Sequence, residues 1–229
     1  MKRFFVITKW QLQLLVKYNI ITVAVVIALL YVFLLRIFPS IRIDLVVIPL
    51  IFSDPSMYGF IFIGAIILFE KSDNTLPALV VTPMRQWEFL WAKAVALLIP
   101  ALIAGFAIAI AAWGFDFKFL PLLIAISLSS VLFTFIGFFG VSKVKTFNQY
   151  MIIIPLFLAP TAVPLINYFE LVNWPVLYII PTQSALDIFS YTRTGTNYLA
   201  FILNVLYLLV WISGSYFMAA RAYNKTLMA

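Results

Sequence analysis

The chain has 229 residues, of which 65% are hydrophobic and only 10% charged, and its mean hydropathy of +1.12 lies far outside the range of soluble globular proteins. Cysteine and histidine are both absent, which excludes disulfide frameworks, thiolate nucleophiles, imidazole bases and the usual zinc ligand sets. A formal charge of +7 would suggest nucleic acid for a soluble protein; in a membrane chain the placement of Lys and Arg matters more than their total, and no nucleic-acid partner is expected.

Met1 to Lys17 has the pattern of an amphipathic helix. Lys2, Lys9, Gln13 and Lys17 fall on one side and Phe4, Ile7, Leu12, Leu14 and Leu15 on the other, with Thr8 and Gln11 interrupting the apolar face. Such a helix lies in the interface, on the lipid of an anionic inner leaflet; a plain basic tail fits the residues equally well. The first apolar run starts near Tyr18 and is followed by no small-x-small cleavage pattern, so it is expected to stay as an anchor.

Six spans are predicted. The first covers Tyr18 to Leu35 and is closed by Arg36, Pro39 and Arg42. The second follows Ser53-Asp54-Pro55 and ends at Phe69, with Leu45 to Phe52 approaching it through the outer leaflet. The third covers Ala94 to Trp113 with a kink at Pro100, and the fourth Leu120 to Val141. The fifth starts near Tyr150 and meets Pro155, Pro160 and Pro164, which predicts a bent or broken helix. Tyr168 to Asn197 is too apolar for a free loop and reads as short re-entrant outer helices; the sixth span is Tyr198 to Ala219. No internal repeat or linker divides residues 1–229, a single domain.

With both termini in the cytosol, only Arg36, Arg42, Lys118 and Arg193 of the 15 basic residues fall on outer segments. The positive-inside rule therefore supports this orientation. It puts the interval from Glu70 to Lys93, which holds six of the 23 charged residues, on the cytosolic side. Within it, Asn74 or Thr75 can cap a two-turn helix with Pro77 in its first turn and Leu76, Leu79 and Val80 on one face. Thr82 can then cap a second helix whose first residue is Pro83 and which runs through Trp87 and Trp91.

Glu70-Lys71, Thr75-Leu76, Leu79-Val80-Val81-Thr82-Pro83, Glu88-Phe89-Leu90 and Lys93 together resemble the cytosolic coupling loop of ABC transporter permeases of the type-2 export family. Lys145-Thr146-Phe147-Asn148-Gln149 before the fifth span and Tyr178 to Asp187 before the sixth are similar to phrases at corresponding places in that family. The resemblance implies an all-α polytopic membrane protein of six spans, with an N-terminal interfacial helix and a short coupling helix between spans two and three. It implies a multi-pass permease of the plasma membrane that works as a dimer, with a second copy or a paralogue, beside a separate ABC ATPase.

On this resemblance Glu70, Thr75, Leu76, Leu79, Pro83, Arg85, Glu88 and Lys93 are the candidate ATPase-contacting residues, with Leu76 and Leu79 as anchor and Arg85 and Glu88 nearer the rim. Lys145, Asn148 and Gln149 are candidates for a second cytosolic contact. Asp54, Pro181 and Asp187 are candidates for an outer gate or pathway, although Asp54 before Pro55 also suits a helix cap, and Asp187 with Arg193 could form an ion pair. Nothing resembles the large extracellular domain of lipid-exporting eukaryotic members, so their substrates do not carry over.

No Gly-x-x-x-x-Gly-Lys phosphate loop is present, so ATP and Mg belong to the partner ATPase and no cofactor is expected in this chain. The acidic residues lie near predicted span ends, and Ser213-Gly214-Ser215 has no histidine to serve it, which argues against an enzyme. Gly59 with Gly64, and Gly137 with Gly140, are off the Gly-x-x-x-Gly spacing and suggest no helix-dimer motif. The expected activity is ATP-driven export of a small amphipathic or hydrophobic molecule such as a drug. A non-transporting membrane scaffold or sensor that holds a cytosolic partner through the same loop is the alternative.

Overall fold

The computed structural model of the chain describes residues 2–53, 57–73 and 85–227, and among these there is no strand. Helix α1 (Lys2–Lys17) is followed by a turn at Asn19, whose φ of 58° is left-handed, a conformation that asparagine tolerates better than most residues. The turn redirects the chain into α2 (Ile20–Ile37). On α1 the buried positions are Thr8, Gln11, Leu14 and Leu15, whereas Phe5, Val6 and Val16 are exposed. The two polar residues that interrupt the apolar face are thus the ones turned inward, where Gln11 finds a partner on another helix.

After a 3-10 turn at Pro39–Ile41 come α3 (Asp44–Ile51) and α4 (Tyr58–Ser72). Helix α5 (Gln86–Trp113) contains Pro100 without breaking. Helix α6 (Phe119–Val141) is the centre of the bundle, packing against α4, α5, α7, α9 and α10. Helix α7 (Phe147–Ala162) keeps Pro155 and Pro160 inside it, and the break falls only before Pro164, which opens the five-residue α8 (Pro164–Tyr168). A 3-10 turn at Pro175–Ile179, α9 (Pro181–Thr194) and α10 (Tyr198–Leu227) complete the chain.

Five of these helices are long and apolar enough to cross a membrane: α2, α5, α6, α10 and the joined Phe147–Tyr168. The predicted second span is the difference. With 15 residues, α4 is about 22 Å long at 1.5 Å per residue, short of a ~30 Å hydrocarbon layer. Helix α3, about 12 Å long by the same rise, precedes it as a separate piece. Phe52, just past α3, packs on Phe133 in the middle of α6 and on Phe189 of α9. Helix α4 then starts beside Ser130 and Thr134 and ends with Phe69 stacked on Phe147.

Glycines make the close approach of α4 to its neighbours. A Cβ on Gly59 would strike Thr134 and the Ser130 carbonyl, and one on Gly64 would fall inside the Tyr150 ring. A Cβ on Gly137 would lie 2.7 Å from the Phe60 carbonyl oxygen and 2.8 Å from its Cα. These glycines therefore serve packing within one chain, at spacings that the Gly-x-x-x-Gly rule does not capture. Because the obstacle at Gly137 is backbone, Gly137→Ala is expected to destabilise by about 1–3 kcal/mol through overpacking. A lowered thermal midpoint in detergent checks this, and an unchanged midpoint would mean that α4 and α6 can separate freely.

At the end of the bundle away from α1, Arg193 joins three segments. Its Nε donates to Asp44 Oδ1 at 3.2 Å and its Nη1 to Asp116 Oδ2 at 2.7 Å, and the Asp116 carbonyl also accepts from Nη1. The predicted Asp187–Arg193 pair does not form. Six residues apart on one helix, the two project about 120° from each other at 3.6 residues per turn. Asp187 instead accepts from Gln183 Nε2 at 3.2 Å.

Candidate functional site

The charged interval between α4 and α5 is closed at its base by a buried ion pair. Glu70, in the last turn of α4, and Lys93, two turns into α5, meet with Nζ 2.7 Å from Oε1, and both side chains are fully buried. Gln11 of α1 accepts a second hydrogen bond from the same Nζ at 3.0 Å. The Phe89 ring lies 4.7 Å from that ammonium, a favourable placement for a cation over a ring face. Phe89 in turn packs on Phe138 of α6 and Tyr223 of α10. Two residues expected on the docking surface are thus in the interior, where an ionised pair is sustained by direct contact and further hydrogen bonding.

Arg85 has extended backbone, with φ −80° and ψ 145°, so α5 begins at Gln86 and no helix runs unbroken from Pro83 through Trp87. Glu88 supplies the missing start signal: its Oε2 accepts from the Arg85 backbone N–H at 2.9 Å, satisfying a donor that a helix N-terminus leaves open. Its carboxylate also sits favourably at the positive end of the helix dipole. Glu88 is only 8% exposed, whereas Arg85 is exposed. Thr75, Leu76, Leu79 and Pro83 lie outside the described residues, as does Asp54.

A second tie joins α1 to the end of α4. Lys17 Nζ is 3.1 Å from Asp73 Oδ2, and the Tyr18 hydroxyl donates to the same oxygen at 2.9 Å. Hydrogen bonds from Lys17 and then Tyr18 hold the Asp73 carboxyl below its usual pKa. Tyr18 is pushed up to about 12, by burial first and by its bond to Asp73 second, so its hydroxyl stays a donor at physiological pH. A carboxylate with a depressed pKa stabilises above its unfolded value, ~4, and loses that contribution as pH falls through the folded one. The protection of amides around Lys17, their exchange relative to an unfolded chain at the same pH, is therefore expected to fall only on acidification below that range, and Asp73→Asn should remove the dependence. Equal pH dependence in the variant would exclude Asp73 as its source.

Phe4 stacks on Trp87 and the Gln86 side chain donates to the Ala220 carbonyl, so α1 and the adjoining ends of α4, α5 and α10 form one face. Such a face can receive a partner, and no group of metal-ligating side chains occurs among the described residues. The comparison with known proteins decides its context: residues 2–229 match the family described as the fluoroquinolones export permease protein family. The chain belongs to that family.

Two relatives, both fluoroquinolones export permease proteins of Mycobacterium tuberculosis strains, are 36% identical to this permease over 138 residues. The alignment covers 58% of this chain and 57% of each relative. No solved structure matches. With its apolar helices, the family makes this chain a multi-pass membrane permease of the ABC type-2 export class, which in bacteria belongs to the plasma membrane.

The remaining candidates divide between the two ends of the permease. Lys145, Asn148 and Gln149 are exposed at the start of α7, near the end of α4. Gln149 is occupied locally: its Oε1 accepts from the Lys145 N–H at 2.9 Å, while Thr146 Oγ1 caps the helix by accepting from the Gln149 N–H at 3.4 Å. At the other end Pro181 opens α9, and Asp187 lies in a polar row with Gln183 and Asn167, whose side-chain amide donates to Gln183 at 3.5 Å. Sequence reasoning missed Gln11, Lys17 and Tyr18. A glutamine on the apolar side of an amphipathic helix was the available signal, since a buried amide requires a partner.

Proposed function

We propose that this permease is the membrane-spanning subunit of an ATP-driven exporter of small amphipathic drugs, fluoroquinolones among them. The observation that carries the reading is the buried Glu70–Lys93 closure, because it makes the base of the interval between α4 and α5 stiff enough to receive force from outside the bundle. A separate ATPase chain holds ATP and Mg and docks on residues 74–84 and the surrounding face, with Lys145 and Asn148 beside it. In this reading the α1 face is cytosolic, α3 and α4 together complete a sixth crossing, and a second permease copy or paralogue closes the pathway. Asp187 and Pro181 border its outer end.

The substrate class is taken from the names of the relatives and agrees with the apolar character of the chain. The test is to coexpress the permease with candidate ABC ATPases, identify the one that copurifies, and measure ATP-dependent accumulation of a fluoroquinolone in inside-out vesicles. Copurification with ATP-dependent accumulation is expected. A permease that carries no ATPase and supports no accumulation would refute the exporter reading.

A further inference from the structure

Glu70, Lys93 and Gln11 come from three helices and meet at one buried nitrogen. Lys93 lies roughly 10 Å from the start of α5 at 1.5 Å per residue and Glu70 in the last turn of α4, so the contact is near the end of the bundle yet fully buried. Nζ reaches Glu70 at 2.7 Å and Gln11 at 3.0 Å. Apolar packing alone would let α1 slide, because dispersion contacts are weakly directional. A hydrogen-bonded ion pair in a low-dielectric interior has one favourable geometry, and leaving it is costly.

We infer that this cluster is a positioning device which locks the interfacial helix α1 to both legs of the interval between α4 and α5, so that all three helices move as one body when that interval is displaced. Its consequence for transport rests on the exporter reading; the mechanical claim does not. The Lys17–Asp73 tie, half-exposed and screened by solvent, cannot hold α1 alone. Gln11 is the member that commits α1, since Glu70 and Lys93 by themselves would fasten only α4 to α5.

The test uses the whole chain in nanodiscs, with nitroxide labels on Lys9→Cys and Ser72→Cys, both exposed positions in a protein that has no cysteine of its own. Parent protein should give one narrow distance distribution between α1 and the end of α4. Gln11→Leu, which leaves the ion pair intact, should broaden it, as should the apolar replacement E70L/K93M. If E70L/K93M does not fold, Gln11→Leu decides by itself. A distribution that stays narrow in Gln11→Leu overturns the proposal.

The second readout is drug moved per ATP hydrolysed, with the copurifying ATPase and a fluoroquinolone as probe. It should fall roughly five-fold or more in Gln11→Leu, a ratio that a purely structural role would leave alone. Unchanged transport per ATP despite a broadened distribution would overturn the part of the cluster in transmission. If the parent protein binds no ATPase at all, the exporter reading fails while the distance measurement still judges the lock.

Discussion

Lys93→Met is expected to lower the stability of the permease by about 3–5 kcal/mol, the cost of leaving a buried carboxylate without its counter-ion. In the parent chain the Lys93 ammonium touches Glu70 at 2.7 Å with neither side chain accessible, so water cannot replace it. Methionine keeps most of the volume and the contact with Phe89 but supplies no charge and no donor, and Gln11 loses the bond from Nζ as well. The double variant E70L/K93M should recover most of the loss, because well-packed apolar pairs often match buried ion pairs in stability. Thermal unfolding in detergent, followed by the yield of monodisperse protein, measures both. A Lys93→Met midpoint equal to that of the parent would mean that the pair contributes nothing to the fold.

Leu79→Asp should strip the ATPase from a permease that still inserts. Leu79 lies in the interval between the described ends of α4 and α5, and under the proposed exporter reading it anchors the contact with the ATPase. Burying a leucine stabilises by ~1.5–3 kcal/mol, and forcing an unpaired carboxylate into the same apolar groove costs several kcal/mol more. The two effects add to a loss of association beyond 100-fold, taking ~1.4 kcal/mol per factor of ten. Copurification and ATPase rate in nanodiscs measure it, and labelling of Ser72→Cys only from the inner face confirms insertion. Full association of Leu79→Asp with the ATPase would remove this interval from the docking surface.

The placement of Glu88 changes what its substitution should do. A rim residue at the docking surface would lose association energy in Glu88→Gln. A cap that accepts from the Arg85 N–H and is 8% exposed affects mainly the start of α5, and glutamine can still accept that bond. The expected effect is a small loss of helix stability.

Much of the architecture was legible in the sequence because it depends on local properties. The apolar run from Leu120 to Val141 could only be a span, and α6 covers Phe119–Val141. The interval from Tyr168 to Asn197, expected to hold short helices, contains α9, which opens at Pro181. The break at Ser53-Asp54-Pro55 separated Leu45 to Phe52 from the second span in the sequence, and α3 (Asp44–Ile51) and α4 (Tyr58–Ser72) lie on either side of it. Hydropathy did not show what each piece packs against, Phe52 on Phe133 and Phe189, Gly59 on Thr134.

Partner choice lay entirely beyond the sequence. Arg193 is six residues from Asp187, yet it pairs with Asp44 and Asp116, 149 and 77 residues away. Helical periodicity separates near neighbours, while the bundle brings remote chain ends together. Lys93 and Glu70, charged and flanking a polar loop, read as surface residues on composition alone, and only the packing of α1 over them, through the unexpected inward turn of Gln11, buries them. The sequence by itself therefore determined which long apolar stretches form helices able to cross a membrane, because that follows from transfer free energies and backbone preferences residue by residue. Only the tertiary structure decided which charges are buried and which helices they tie, because the low dielectric that makes a 2.7 Å ion pair directional exists only once three separate helices have excluded water from it.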